Sequence, residues 1–114
     1  MTRKRVLVVD DEPPMREILG NLLGTFGYDW ETACDAVEAL TKLEQTEFDL
    51  VLTDLNMPGM NGAELAREVK RRNERMRVVI ITGSNPQNLT QDIDRVLRKP
   101  ISVEELKETI ALFA

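Results

Sequence analysis

The chain has 114 residues, of which 42% are hydrophobic and 31% are charged, and this predicts one soluble globular domain spanning residues 1–114. The net charge of −5 argues against direct nucleic-acid binding, which requires a basic face, and a chain without histidine lacks the usual general base near neutral pH. No apolar run approaches the roughly 20 residues of a membrane span, and the single cysteine cannot form an internal disulfide, so we expect a cytoplasmic protein with no membrane partner.

The first half of the chain alternates strand and helix patterns. The valine-rich run at residues 5–9 is typical of a strand that is buried on both faces. Apolar residues recur at helical spacing over residues 14–26, with prolines at the start and a glycine after the end. A short alternating strand is predicted at residues 28–33, and a capping-box pattern opens a helix over residues 35–45. Cys34, between these two elements, is predicted to be a small buried hydrophobe.

The second half repeats this alternation. Strands are predicted at residues 48–53, 77–82 and 95–97, and helices at residues 61–72 and 102–113. Strands that alternate with helices indicate a parallel sheet covered by helices on both faces. Right-handed crossovers place all the strand carboxyl ends at one edge, and ligand sites in such folds lie at that edge where the strand order reverses.

The segment between the fourth and fifth predicted strands has no apolar stripe at helical spacing. Leu89 and Ile93 are the only large apolar residues in the sequence GSNPQNLTQDIDR. We therefore expect a shortened or irregular fourth helix in this crossover.

Polar residues follow four of the five predicted strands at the expected site edge. Several acids at one point repel each other, so together they predict a hard divalent cation, and an open set of oxygen ligands suits Mg²⁺. An aspartate carboxylate can attack phosphorus, and a lysine and a hydroxyl could then stabilise the phosphoryl oxygens. The residues concerned are Asp10, Asp11 and Glu12 after the first strand, Asp54 after the third, Thr82 at the end of the fourth, and Lys99 and Pro100 after the fifth.

The sequences VLVVDDEP, DLVLTDLNMPGMNG, VVIITG and LRKP, in this order, resemble the receiver domain of two-component response regulators. The resemblance covers the chain from about residue 5 to residue 113. It implies a five-stranded, doubly wound sheet of flavodoxin-like (βα)₅ topology. It also implies a signalling switch, not a metabolic enzyme, whose phosphoryl donor is a sensor histidine kinase or a histidine phosphotransfer protein.

The resemblance also implies a role for each residue of the site. Asp54 matches the phosphoacceptor, and Asp11, Asp54 and the backbone carbonyl of Asn56 match direct Mg²⁺ ligands. Asp10 matches an acid that holds the metal through water. The hydroxyl of Thr82 and the ammonium of Lys99 match the groups that contact the phosphoryl oxygens, and the bond from Lys99 to Pro100 is expected to be cis.

Three features depart from the family pattern or bear on its chemistry. The segment between Thr82 and Lys99 is shorter than the family pattern by at least one helical turn. Val96 stands where receivers usually carry tyrosine or phenylalanine, and a stiff, small valine puts the usual threonine–aromatic switch in doubt. Asn56 and Ser84 occupy positions that, in the family, tune hydrolysis of the acyl phosphate. Neither is a carboxylate or a strong base, so we expect slow to moderate dephosphorylation.

Three other functions remain open. A Mg²⁺-dependent phosphatase with an aspartate nucleophile would want a second aspartate where Asn56 stands. A flavin- or nucleotide-binding module would need a glycine- or hydroxyl-rich cradle after the first strand, where this chain is acidic. A receiver that only binds proteins would be indicated by loss of a site residue, and none is lost. We expect no effector domain in this chain, and therefore a stand-alone receiver or a module of a larger regulator or hybrid kinase.

Overall fold

The computed structural model describes residues 3–84 and 92–114, and in those ranges it contains five strands and four helices. In chain order the elements are β1 (Arg5–Val9), α1 (Pro13–Thr25), β2 (Asp29–Ala33), α2 (Ala36–Gln45), β3 (Leu50–Asp54), α3 (Gly62–Arg72), β4 (Arg77–Thr82), β5 (Arg95–Arg98) and α4 (Val103–Phe113). Each lies within two residues of a predicted element. The shortened or irregular helix predicted between β4 and β5 falls largely on residues 85–91, which lie outside the described residues.

All five strands pair in parallel in one sheet of order β2-β1-β3-β4-β5. The chain moves from β1 to one neighbour, β2, and then crosses to the other neighbour, β3. The strand order therefore reverses between β1 and β3. This order confirms the predicted doubly wound topology. In open parallel sheets ligands bind in the crevice at such a reversal, which here lies at the carboxyl ends of β1 and β3.

The sheet separates two apolar layers, because side chains alternate between the faces of each strand. Leu19 and Leu23 of α1 pack with Leu106 and Ile110 of α4 on one face. On the other face, α2 and α3 cover the sheet through buried residues that include Ala39 and Leu65. The strands β1, β3 and β4 are almost wholly buried, as their continuous apolar runs predict.

Local caps fix where the helices begin and end. Asn61 and Glu64 form a complete capping box at the start of α3, with each side chain accepting a backbone N–H of the other residue. Asp35 accepts the N–H of Glu38 at 2.8 Å, as the sequence pattern predicts. Gly27 follows α1 with φ of +94°, a left-handed conformation in which a glycine suits a helix end.

The prediction that Cys34 is buried is wrong. The residue is exposed, because β2 ends at Ala33 and Cys34 already lies in the turn before α2. Desolvation, with the nearby carboxylates of Glu38 and Asp35, raises the pKa of the thiol, which disfavours a reactive thiolate. Among the described helices, none is long and apolar enough to cross a bilayer.

Candidate functional site

The register of the sheet places the predicted site residues side by side at the carboxyl ends of adjacent strands. Val9 is paired with Thr53, so the next residues, Asp10 and Asp54, leave adjacent strands side by side. On the far side of β3, Asp54 is paired with Ile81, and Thr82 is paired with Arg98. The hydroxyl and the lysine therefore follow on the next two strands along the same edge.

Three carboxylates converge at the reversal of strand order. One oxygen each from Asp10, Asp11 and Asp54 lies within 4.8 Å of the others. Asp10 and Asp54 are buried, whereas Asp11 is exposed. The pocket is thus walled by protein on the sheet side and open to solvent at Asp11.

The environment of Asp10 shows that this pocket is short of positive charge. Burial raises the pKa of Asp10, and the neighbouring carboxylate of Asp54 adds to the effect. The N–H of Glu12 donates to Asp10 Oδ1 at 2.9 Å and partly offsets the increase in pKa. A cation placed among these oxygens would remove the repulsion that burial and proximity create.

The donor set fits Mg²⁺. Magnesium prefers oxygen ligands at about 2.1 Å in an octahedral arrangement, which places ligand oxygens about 3–4 Å apart. The three carboxylate oxygens are within 4.8 Å of one another, so small side-chain movements would bring them to that spacing. The exposed side of the pocket leaves room for the water ligands that magnesium retains.

Close backbone packing positions Asp54. The N–H of Gly62, the first residue of α3, donates to the carbonyl of Leu55 at 2.9 Å. A Cβ added at Gly62 would lie 2.3 Å from the carbonyl oxygen of Asp54, so only glycine fits there. The hydroxyl of Thr53, itself buried, also donates to this carbonyl oxygen at 2.9 Å. The main chain at Asp54 is therefore held both by a hydrogen bond and by the start of α3.

Lys99 supplies the positive charge that faces the acids. Its Nζ lies 3.7 Å from Asp54 Oδ1, and its side chain is 26% exposed. The backbone N–H of Lys99 donates to the carbonyl of Thr82 at 2.9 Å, which continues the β4–β5 pairing beyond the strand. The Lys99–Pro100 peptide bond is cis, as expected.

Thr82 is fully buried, and its hydroxyl bonds to Ser84. The two hydroxyl oxygens are 3.0 Å apart, and the N–H of Ser84 donates to Thr82 Oγ1 at 3.1 Å. Asn56 Nδ2 donates to Ser84 Oγ at 3.3 Å from the loop after β3. Asn56 and Ser84 thus bridge the loops that follow the acceptor strand and the hydroxyl strand.

The predicted polar residues lie together in the structure, whereas the close approach at Gly62 was not predicted. The structure brings Asp10, Asp11, Asp54, Lys99, Thr82 and Asn56 to one edge of the sheet. The sequence placed Gly62 only as the second residue of the helix predicted at residues 61–72, because nothing in one sequence reveals a close backbone approach. One signal could have indicated this contact: Gly62 is the first residue of a helix that Asn61 already caps, so the cap does not require a glycine there.

The sequence matches the family model for the response regulator receiver domain over residues 6–111. The chain belongs to this family. The sensor histidine kinase RcsC of Salmonella typhi is 37% identical over 96% of the chain, which spans only 12% of that kinase. Sporulation initiation phosphotransferase F of Bacillus subtilis (strain 168) is 28% identical, and the match covers 96% of the chain and 93% of that protein.

A solved receiver structure extends the comparison to the site. The response regulator TrrA of Thermotoga maritima, in complex with Mg²⁺–BeF, superimposes with a TM-score of 0.91 at 34% identity, over 97% of this chain and 99% of that one. TrrA in complex with the histidine kinase ThkA gives a TM-score of 0.87 at 34% identity, over 96% of this chain and 97% of that one. This chain is therefore a receiver domain, a signalling module with relatives in both hybrid kinases and response regulators.

Proposed function

We propose that this receiver domain accepts a phosphoryl group on Asp54 from a phosphohistidine, in a reaction that requires Mg²⁺. One observation carries the proposal: the Asp54 carboxylate lies between two other carboxylates and the Lys99 ammonium. A carboxylate with a cation on one side and a metal site on the other can stay ionised and attack phosphorus. Asp10, Asp11, Asp54 and the backbone carbonyl of Asn56 would hold the metal.

Transfer exchanges one bond to phosphorus for another. An oxygen of the Asp54 carboxylate forms a bond to phosphorus as the phosphorus–nitrogen bond of the donor breaks, and the electron pair of that bond leaves on the imidazole nitrogen. Lys99 offsets negative charge on one phosphoryl oxygen, and the hydroxyl of Thr82 donates to another. When bound, Mg²⁺ would supply the remaining positive charge that the phosphoryl oxygens require.

The proposed donor is a cytoplasmic histidine kinase or histidine phosphotransfer protein. The chain contains no histidine, so a phosphohistidine must come from another domain or protein. The ThkA–TrrA complex shows that a similar response regulator binds a kinase. We further propose that the module acts without nucleic acid or membrane contact of its own, because its net charge is −5. The acyl phosphate is expected to outlast seconds, since Asn56 and Ser84 offer no base to activate water.

The phosphatase and the flavin- or nucleotide-binding module are weaker alternatives than a receiver. A phosphatase of the haloacid dehalogenase type would need an acid–base group where Asn56 contacts Ser84. A nucleotide-binding module would have to place phosphate against the acids Asp10 and Asp11. The protein-interaction alternative requires no phosphoryl chemistry, and the next experiment separates it from the proposal.

Intact-mass measurement after incubation with acetyl phosphate tests the proposal. With Mg²⁺ the parent should gain one phosphoryl group, and it should gain none with a chelator. Asp54→Asn should gain none under either condition. Asp29→Asn is the matched control, because Asp29 begins a strand at the opposite edge of the sheet, and it should behave as the parent. A folded parent that stays unmodified, or modification that survives in Asp54→Asn, would refute the assignment and favour the interaction module.

A further inference from the structure

The buried hydroxyl of Thr82 has partners only on Ser84 within the described residues. Thr82 is 0% exposed, so water does not reach its oxygen. The oxygen accepts the backbone N–H of Ser84, and it shares one hydrogen with Ser84 Oγ over 3.0 Å. Two hydroxyl protons are available to this pair, and only one of them can lie between the oxygens.

Burial decides which proton lies between the oxygens. If Ser84 donated to Thr82, the Thr82 proton would be left buried without an acceptor among the described residues, which costs free energy. If Thr82 donates, the leftover proton belongs to Ser84, which is exposed and can donate to water. Ser84 Oγ then accepts from both Thr82 Oγ1 and Asn56 Nδ2, which uses both of its lone pairs. The hydroxyl proton of Thr82 is therefore already engaged.

We propose that Ser84 is a positioning residue that holds the hydroxyl of Thr82 and withholds its proton from an incoming phosphoryl oxygen. The inference rests on the proposed function, in which Thr82 donates to the phosphoryl group. Donation to that group requires the Thr82–Ser84 hydrogen bond to break. The Asn56–Ser84 bond resists this, because it fixes Ser84 from the opposite loop. The strength of this small network sets how easily Thr82 becomes available.

Ser84→Ala tests the proposal because it removes the acceptor and keeps the backbone N–H. The Thr82 proton is then free, so affinity for fluoroberyllate with Mg²⁺, a phosphoryl analogue, should rise about fivefold, the value of one ordinary hydrogen bond. Ser84→Thr keeps a hydroxyl at the position and should restore the parent affinity. Thr25→Ala is the matched control, because it removes an exposed hydroxyl that bonds Asn21 O at 3.0 Å on α1.

A second measurement needs no phosphoryl chemistry. Three-bond scalar couplings of Thr82 report its χ1 rotamer in the free protein. They should indicate one rotamer in the parent and in Ser84→Thr. In Ser84→Ala, where only the backbone N–H of residue 84 still contacts Thr82 Oγ1, they should indicate a second, partly populated rotamer. Unchanged or weaker analogue binding by Ser84→Ala, or an unchanged Thr82 rotamer, overturns the proposal. If the parent neither binds the analogue nor gains a phosphoryl group from acetyl phosphate, the proposed function fails. The rotamer comparison still decides whether Ser84 holds the Thr82 side chain.

Discussion

Replacing Gly62 with alanine should damage both the fold and the phosphoryl chemistry. The new Cβ would lie 2.3 Å from the carbonyl oxygen of Asp54, and 3.0 Å from both Leu55 Cα and Ile80 Cδ1. The Ile80 methyl group can move, but the other two atoms belong to the main chain of the acceptor segment. Relief of the contact therefore needs a shift of about 1 Å between α3 and Asp54, at a typical overpacking cost of about 1–3 kcal/mol. The better helix propensity of alanine returns at most about 1 kcal/mol.

The chemical effect should exceed the stability effect. A misplacement of about 1 Å near reacting groups can cost about 100-fold in rate. Acetyl phosphate uptake measured by intact mass, beside urea unfolding, would give both quantities for Gly62→Ala. Gly83→Ala is the control beside the same pocket, because its Cβ would approach Lys99 no closer than 3.8 Å. Parent-like stability and uptake in Gly62→Ala would refute the argument that this glycine positions Asp54.

Two further predictions concern stability away from the pocket. Asp94 accepts from Lys70 Nζ at 2.9 Å and from the N–H of Val78 at 2.8 Å, and although burial opposes them, these bonds lower its pKa. Asp94→Asn should lower the free energy of unfolding in urea by about 2–3 kcal/mol at pH 7. The loss should shrink as the pH falls below about 4, the pKa of an unfolded aspartate. A loss that does not change with pH would contradict the charge argument. The buried hydroxyl of Thr109 has no hydrogen-bond partner in the described part of the chain, so Thr109→Val should stabilise the fold by about 1 kcal/mol, and destabilisation would show that the hydroxyl has a partner.

The sequence was sufficient for the fold because its apolar periods are unambiguous. Buried parallel strands such as β3 and β4 are continuous apolar runs, whereas α3 has a strongly amphipathic pattern with a clear cap at Asn61. Element ends were less certain, since a residue beyond a strand can be buried or exposed without any change in pattern. Cys34 shows this, because a shift of one position past β2 turns a buried site into an exposed one.

The sequence was enough to predict which residues lie at the candidate site, but not which of them contact each other. Alternation of strand and helix was enough to place Asp10, Asp54 and Lys99 at one edge, because parallel strands end together. The Thr82–Ser84 bond and the close approach of Gly62 depend on rotamers and on backbone separations of a few ångströms. Such distances follow from packing of the whole domain, so no local pattern in one sequence reports them.

The acidic pocket should cost the fold stability whenever it lacks a cation. The pKa of Asp10 is raised in the folded state, so the folded chain binds a proton more readily than the unfolded chain, and stability falls as pH rises through that pKa. At pH 7, above the pKa of an unfolded aspartate, the Asp10 carboxyl therefore destabilises the fold. Asp10→Asn keeps an oxygen for the N–H of Glu12 and removes the charge, so it should stabilise the fold by about 0.5–2 kcal/mol in chelator.

Magnesium should reverse the advantage of Asp10→Asn. Binding to the folded state stabilises the parent in proportion to its affinity, and the variant, with one carboxylate fewer, binds more weakly. Urea unfolding of both proteins, in chelator and in excess Mg²⁺, measures the two differences. A variant that is less stable than the parent in chelator would contradict the repulsion argument. If Mg²⁺ stabilised the variant and the parent equally, Asp10 would not be a metal ligand. The negative charge of Asp10 would thus favour metal binding and also lower the stability of the fold when no cation is bound.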